Sequence, residues 1–394
     1  MNPEASIPRL LRLPRRSFFL FGPRGSGKST WLKQVLPSAP RVDLLDSSLY
    51  LELTRDPHRI EAIVGPHPAN SWVVLDEVQK VPALLDEVHR LIEARRWRFA
   101  LCGSSARKLR RGGANLLAGR AVTLNMEGFT AAELAGRFDL GFSTEWGLLP
   151  TVQTDREDAP EFLAAYVDTY LKEEIRAEGL VRNVPPFVRF LGVAGQMNGQ
   201  VVNGANIARE AAVPRSTVDT YFSILTDTLV GHFLPAWRPA AKVREAAHPK
   251  FYWFDPGVAR AAAGLHRDPA DRTWKGTALE TLIYHELRVH NEVTRKQRSI
   301  AYYRTPSGVE VDFIVETRRR QAGAPPHVVA IEVKLTRKWD RSWEKPLRDL
   351  SSQKGLKVDR CFGVYTGERT YAFESLHVLP VDAFLKALHE GKVF

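Results

Sequence analysis

Phe18-Phe19-Leu20-Phe21-Gly22-Pro23-Arg24-Gly25-Ser26-Gly27-Lys28-Ser29-Thr30 passes from an apolar run into a glycine-rich turn that ends in Lys-Ser. The order predicts a strand, a phosphate loop and the start of a helix. Gly22, Gly25 and Gly27 let backbone N–H groups turn inward around an anion, where a Cβ would obstruct them. The helix that follows points its positive end at the same place. Lys28 would reach the β- and γ-phosphates and Ser29 would offer its hydroxyl to Mg²⁺, while Pro23, Arg24, Ser26 and Thr30 complete the cradle. An ordinary glycine turn is the alternative. The apolar strand before it and the helix-competent Trp31-Leu32-Lys33-Gln34-Val35-Leu36 after it favour a nucleotide site with ATP and Mg²⁺ as cofactors.

Downstream, Arg41-Val42-Asp43-Leu44-Leu45 reads as a second strand, and Asp56-Pro57 opens a helix with an Asp cap and a proline in its first turn. Trp72-Val73-Val74-Leu75-Asp76-Glu77 has the continuous apolar character of a buried parallel strand and ends in two carboxylates. Open α/β sheets place their ligands at the carboxyl ends of strands. Asp76 would hold Mg²⁺ through water, and Glu77 would act as general base on the attacking water. After an amphipathic helix over Val81 to Ile92, the strand Arg98-Phe99-Ala100-Leu101-Cys102 runs into Gly103-Ser104-Ser105. Ser104 is expected either to sense the γ-phosphate or to cap a helix. Asn115-Leu116-Leu117-Ala118-Gly119-Arg120 ends a predicted helix, where Arg120 is either a finger for a neighbouring subunit's nucleotide or a favourable charge at a helix C-terminus.

At 394 residues the chain is too long for one core, and two or three domains are expected. No apolar stretch is long enough to span a membrane and no secretion signal is evident, so the expectation is a cytoplasmic protein without a membrane partner. Two cysteines, Cys102 and Cys361, argue against a disulfide framework or a structural zinc site and are expected as core thiols. The net charge of +11 favours a polyanionic partner.

The phosphate loop, Leu75-Asp76-Glu77-Val78-Gln79-Lys80, Gly103-Ser104-Ser105 and Leu117-Ala118-Gly119-Arg120 together resemble a prokaryotic family of AAA-type P-loop ATPases. Its members join this core to a C-terminal region of unknown function. Tyr166-Val167-Asp168-Thr169-Tyr170-Leu171-Lys172-Glu173-Glu174-Ile175 is similar to the family's junction. The resemblance implies an α/β fold, a P-loop NTPase parallel sheet with helices, followed by a helical or winged-helix module and a restriction-endonuclease-like α/β domain. It also implies ATPase activity and a homo-oligomer, with a hexameric ring suggested. The expected domains are 1–147, 148–244 and 245–394, with a proline-bounded linker from Leu148-Leu149-Pro150 to Asp158-Ala159-Pro160.

Asn206 to Ala212, Val213-Pro214-Arg215 and Ser216 to Leu225 read as two short helices around a tight turn that lacks the usual glycine, with Ser216 capping the second. The strand-forming Leu229-Val230-Gly231-His232-Phe233-Leu234 follows, as in a winged helix-turn-helix. Arg215, Thr217 and Thr220 would face a DNA groove, unless the module serves only as packing between domains.

Further on, a helix through Gly276 to Leu287 carries Glu280 among apolar neighbours, and three strands run over Ile300–Arg304, Val309–Val315 and Val328–Leu335. Residues two apart share a strand face, so Glu332 and Lys334 point the same way, Asp312 can lie on the adjacent strand and Glu280 can approach from the helix. The set resembles the Asp…Glu-x-Lys signature of restriction-endonuclease-like nucleases. There Asp312 and Glu332 would hold Mg²⁺, Lys334 would orient or activate water, and Glu280 would complete the site. Two departures are visible: Val311 stands where the usual proline precedes the first Asp, and the loop Thr317-Arg318-Arg319-Arg320-Gln321-Ala322-Gly323-Ala324-Pro325-Pro326 is long. A solvated face with cross-strand pairing is the alternative, which carboxylates inside apolar runs disfavour. Three functions follow in order: an ATP-driven DNA remodeller, helicase-like on branched DNA; an ATP-gated endonuclease; and a nucleotide-switched binding protein with an inactive nuclease fold.

Overall fold

The computed structural model describes residues 7–104, 109, 117, 119–171, 184–238, 248–305, 308–319, 321, 324–353 and 355–394. Ser105, Asn115, Leu116, Ala118, the junction residues Lys172 to Ile175, and Arg320, Ala322 and Gly323 lie outside them.

The apolar run before the glycine turn is strand β1 (Ser17–Phe21), buried along its whole length. It lies inside a parallel sheet with β2 (Arg41–Asp43), β3 (Trp72–Asp76), β4 (Arg98–Gly103) and β5 (Ala121–Asn125), in the order β2-β3-β4-β1-β5. A strand in the middle of such a sheet is covered on each side, which is why β1 and β3 read as continuous apolar runs rather than alternating ones. One face packs Phe19, Val73, Leu75 and Leu101 under the helix Leu84–Arg95. The other packs Phe18, Leu20, Val74 and Cys102 against Trp31 and Leu32 of the helix Lys28–Val35. The register sets Phe21 level with Gly103 and Leu20 level with Cys102, so the phosphate loop, Asp76 and Ser104 all leave the sheet at one edge.

The stretch read as a linker is instead packed and helical. Leu148 and Leu149 are buried, and the helices Pro150–Thr154 and Ala159–Ala165 begin there. The prolines that looked like breakers, Pro150 and Pro160, occupy first helical turns, where no backbone N–H is needed. Next come a π-helical turn (Tyr166–Leu171), the helix Val184–Gln196, β6 (Gln200–Val201), the helices Gly204–Glu210 and Arg215–Asp227, β7 (Gly231–Leu234) and β8 (Lys250–Trp253). The strands pair antiparallel in the order β6-β8-β7. Pairing of β8 with β6 and β7 joins residues across the expected 244/245 boundary. In the tight turn, Ala212 takes the left-handed conformation (φ 51°) that the missing glycine would have supplied. Ser216 does not cap the second helix: that helix starts at Arg215, with Pro214 as its N-cap and no side-chain cap bond. Proline's fixed φ and extended ψ place the cap two residues before Ser216.

The last region is a six-stranded mixed sheet in the order β13-β14-β12-β11-β10-β9, with β9 (Ser299–Arg304), β10 (Glu310–Arg318), β11 (His327–Lys334), β12 (Lys357–Tyr365), β13 (Tyr371–Phe373) and β14 (Leu376–Pro380). The three expected strands are therefore only half of it. The long helix Arg272–Val293 and the helix Val381–His389 cover one face through Leu282, Ile283, Phe384 and Leu385. Among the described residues no helix is long and apolar enough to cross a membrane. Cys102 and Cys361 are free and buried, as core thiols.

Candidate functional site

Gly25 (φ 78°) and Gly27 (φ 88°) hold the left-handed conformations that turn the phosphate loop, and a Cβ on Gly22 would strike the Met126 carbonyl oxygen at 1.9 Å. Lys28 is buried, with Nζ donating to the carbonyl oxygens of Gly22 (2.7 Å) and Pro23 (3.0 Å), so its charge sits in the mouth of the loop. Ser29 Oγ donates to Asp76 Oδ2 at 2.7 Å, which brings two hard oxygen donors together across β1 and β3. The Ser26 hydroxyl is buried and without a hydrogen-bond partner. An orphaned donor inside an anion cradle, beside a hydroxyl and a carboxylate, fits a phosphate and its divalent cation.

Glu77, just past β3, adopts a left-handed backbone (φ 55°, ψ 40°) that glycine prefers, as residues at functional sites often do. A one-turn 3₁₀ helix, Val78–Lys80, follows and swings Gln79 back. The Gln79 amide Nε2 donates to Glu77 Oε2 (2.5 Å) and to Ser104 Oγ (3.3 Å), so the base and the sensor candidates share one amide. Periodicity gave no sign of this; only the place of Gln79 two residues beyond Glu77 hints at it. Burial beside Asp76 pushes the Cys102 thiol up.

Two other clamps on the loop come from afar in sequence. Arg9 donates to the carbonyl oxygens of Ser26 (3.0 Å), Glu127 (2.7 Å) and Gly128 (3.0 Å) while pairing with Glu133 (3.0 Å). Tyr166 Oη donates to the Arg24 carbonyl oxygen at 3.0 Å, and the Arg24 guanidinium lies 4.1 Å from the Tyr170 ring centre. A cleft of ≈ 530 Å³ flanks the loop, lined in part by Arg9, Gly27, Thr30, Gln34, Arg137 and Thr151. Arg120 is elsewhere. Ala121, next to it, is level with Ser17 at the far end of β1, so Arg120 lies at the sheet edge opposite its own phosphate loop, paired with Glu93 at 2.5 Å.

In the second region Arg215 pairs with Asp219 (2.5 Å) and packs over Gly204, and Thr220 Oγ1 donates to the Ser216 carbonyl oxygen (3.2 Å). Two of the three side chains expected at a DNA groove are thus engaged within their own module.

In the third region Phe313 pairs with Ile331, so Asp312 and Glu332 stand opposite each other one step along, and both are buried. Lys334 Nζ contacts Glu332 Oε1 and lies 3.9 Å from Asp312 Oδ2, which itself accepts from Val333 N (2.8 Å). Glu280, on the long helix, accepts from Tyr252 Oη at 3.1 Å. Burial, then the charge of Asp312, pushes both Glu280 and Glu332 up to about 8. Against the pull of burial, Asp312 and Glu332 hold the Lys334 ammonium above its usual range. Sequence reasoning missed Tyr252 and Lys250 of β8: Lys250 pairs with Glu310 (2.5 Å) and is drawn up by Asp312 and Glu280 against burial. The cluster is thus built by two regions. Among the described residues no three His, Cys, Asp or Glu side chains are gathered at metal-ligand spacing; Lys334 occupies the space between Asp312 and Glu332. Glu332 Oε2 is buried without a partner.

Residues 139–269 match a domain of unknown function (DUF8612) and residues 275–384 another (DUF4143). Uncharacterized proteins of Mycobacterium bovis and Mycobacterium tuberculosis are each 26% identical over 377 residues, covering 93% of this chain and 80% of the relative. Among solved structures, the Aeropyrum pernix ORC2 protein in its ADPNP–ADP complexes is 14% identical with a TM-score of 0.37, over 64% of this chain and 87% of that one. The Aeropyrum pernix ORC1 protein in complex with DNA is 15% identical with a TM-score of 0.27, over 66% and 88%. Residues 14–135 match an AAA domain, and that stretch holds the five-stranded parallel sheet and the glycine loop described above.

Proposed function

We propose that the protein is a Mg²⁺-dependent ATP hydrolase that uses its cycle to remodel DNA. The observation that carries the hydrolase half is the convergence of Lys28, Ser29, Asp76, Glu77 and Ser104 at one sheet edge, with Ser29 and Asp76 in hydrogen-bond contact. Lys28 binds the β- and γ-phosphates, Ser29 and Asp76 hold the cation, Glu77 takes the proton of the attacking water, and Ser104 reads the γ-phosphate. Bound Mg²⁺ supplies charge neutralisation at the phosphates. The flanking cleft takes the base and ribose. The DNA half rests on the net charge of +11 and on the helix, strand, helix, helix, strand, strand order of the middle region, whose β6-β8-β7 pairing suits a winged helix. ATP turnover with and without single-stranded, duplex, forked and four-way DNA is the test. Lys28→Ala loses nucleotide binding or turnover, and Glu77→Gln binds ATP with turnover lowered by about 10²-fold or more. Wild-type turnover in Glu77→Gln removes the base assignment, and an ATPase indifferent to every DNA removes the remodelling reading.

A second reading, an ATP-gated endonuclease, is favoured by one observation, the orphaned Glu332 Oε2 beside Asp312 and Lys334. There Asp312 and Glu332 hold the cation, Lys334 orients or activates the attacking water, and Glu280 completes the site.

A further inference from the structure

Gln79 is 7% exposed, inside the nucleotide site, and has no counterpart among the roles assigned above. Its amide nitrogen has two hydrogens, and each is used: one on Glu77 Oε2, the other on Ser104 Oγ. Its carbonyl oxygen is buried without a partner. An alternative amide orientation would turn the carbonyl toward the Glu77 carboxylate, leaving two acceptors facing each other, so the donor assignment follows from chemistry. The amide is also confined, since a Cβ on Gly103 would lie 2.3 Å from Gln79 Oε1.

We propose that Gln79 is a positioning residue for ATP hydrolysis, aligning the Glu77 carboxylate with the Ser104 hydroxyl so that base and γ-phosphate sensor act as one unit. The inference rests on the ATPase reading. With Oε2 held by the amide, Glu77 presents Oε1 to the attacking water. With one lone pair of Ser104 Oγ engaged, its own hydrogen is directed outward, where a γ-phosphate oxygen accepts it. As the water oxygen bonds to the γ-phosphorus, its proton passes to Glu77. The bond from that phosphorus to the β–γ bridging oxygen breaks, its electron pair leaving on ADP. The left-handed backbone at Glu77 is tolerable because the amide and the short 3₁₀ turn hold it from the C-terminal side.

The test uses the full-length protein and compares wild type, Glu77→Gln, Gln79→Ala and Gln79→Glu, with ATP affinity and melting temperature as controls for folding. Gln79→Ala is expected to lower kcat by about 10- to 100-fold while ATP affinity stays within about threefold, since the residue acts on the base and not on the phosphates. Gln79→Glu keeps the shape of the side chain and can donate only when protonated. Set against Glu77, the introduced carboxyl holds its proton to higher pH than usual, so kcat should recover at acid pH and fall as that proton is lost. Wild type shows no such fall. If wild type turns over, Glu77→Gln does not and Gln79→Ala keeps full kcat, the positioning role is wrong while the ATPase reading stands. A pH profile of Gln79→Glu parallel to wild type also overturns it, because packing alone would then explain the residue. If wild type itself has no turnover, the ATPase reading fails and takes the inference with it.

Discussion

A carboxylate inside a sheet is expensive unless something holds its charge, and Glu332 shows how this protein handles that cost. Its folded-state pKa is raised from the ordinary glutamate value to about 8. Between these two values the folded protein therefore holds a proton that the unfolded chain has released. Stability from this group is present at acid pH and is lost as pH rises toward 8. Glu280 adds to the same trend. Glu332→Gln is expected to melt higher than wild type at pH 8 without divalent ions, by about 2 °C or more, with the gap closing toward pH 5. Mg²⁺ or Mn²⁺ should raise the wild-type melting temperature and leave the variant's unchanged. Equal melting curves at pH 8 would mean that the cluster carries no such penalty. If the same residues serve cleavage, Asp312→Ala and Lys334→Ala stop Mn²⁺-supported nicking of DNA and leave ATP turnover intact. Loss of DNA binding without any cleavage in wild type would mark a binding site instead.

Strand β5 has parallel register with β1 over Ser17↔Ala121 to Phe21↔Asn125. Four residue steps at about 3.3 Å put Arg120 more than 13 Å, by strand rise alone, from the edge where the phosphate loop begins. A guanidinium that far back cannot reach its own γ-phosphate. Its role as a finger is therefore open only between subunits. The expected outcome is a specific ATPase activity that climbs with protein concentration in wild type, and an Arg120→Ala variant that binds ATP normally and turns it over about 10³-fold more slowly. Concentration-independent activity, together with an active Arg120→Ala, would reduce the residue to its exposed pair with Glu93, a contact of little energetic weight.

The three regions meet through buried charge. Arg288 on the long helix contacts Glu127 on the segment after β5, where His285 Nδ1 (3.3 Å) and His232 (3.8 Å) also converge. Burial pushes His232 down to about 3 and Arg288 down to about 9, so the histidine is neutral at pH 7 while the arginine remains charged. Glu127's backbone carbonyl is in turn held by Arg9, which also holds Ser26 of the phosphate loop. The same helix carries Glu280 into the acidic cluster, which gives the glycine loop and that cluster one shared support. Arg288→Ala strands the Glu127 carboxylate and should cost about 3–5 kcal/mol in chemical denaturation, whereas Arg288→Met with Glu127→Leu should recover much of it. If the single variant costs no more than an exposed substitution, the cluster is not what joins the regions.

The proposed nucleotide site could be read in the sequence because its chemistry is local: glycines, lysine and serine fall within eight residues, Asp76 ends an apolar run, and each needs only its own strand and turn to be placed. The alternation in Glu332-Val333-Lys334 likewise fixed a shared face before any sheet was known. Prolines misled, since Pro150 and Pro160 break a pattern in sequence yet start helices in space. What only the tertiary structure decided is partnership at a distance. Gln79 meets Ser104 across β4's carboxyl end, Arg9 and Tyr166 clamp the phosphate loop from separate regions, and Lys250 and Tyr252 reach the acidic cluster from a strand in another sheet. Periodicity reports which face of an element is buried, and these contacts depend instead on which elements pack together, a choice made by the summed burial of whole faces and written in no single stretch of the chain.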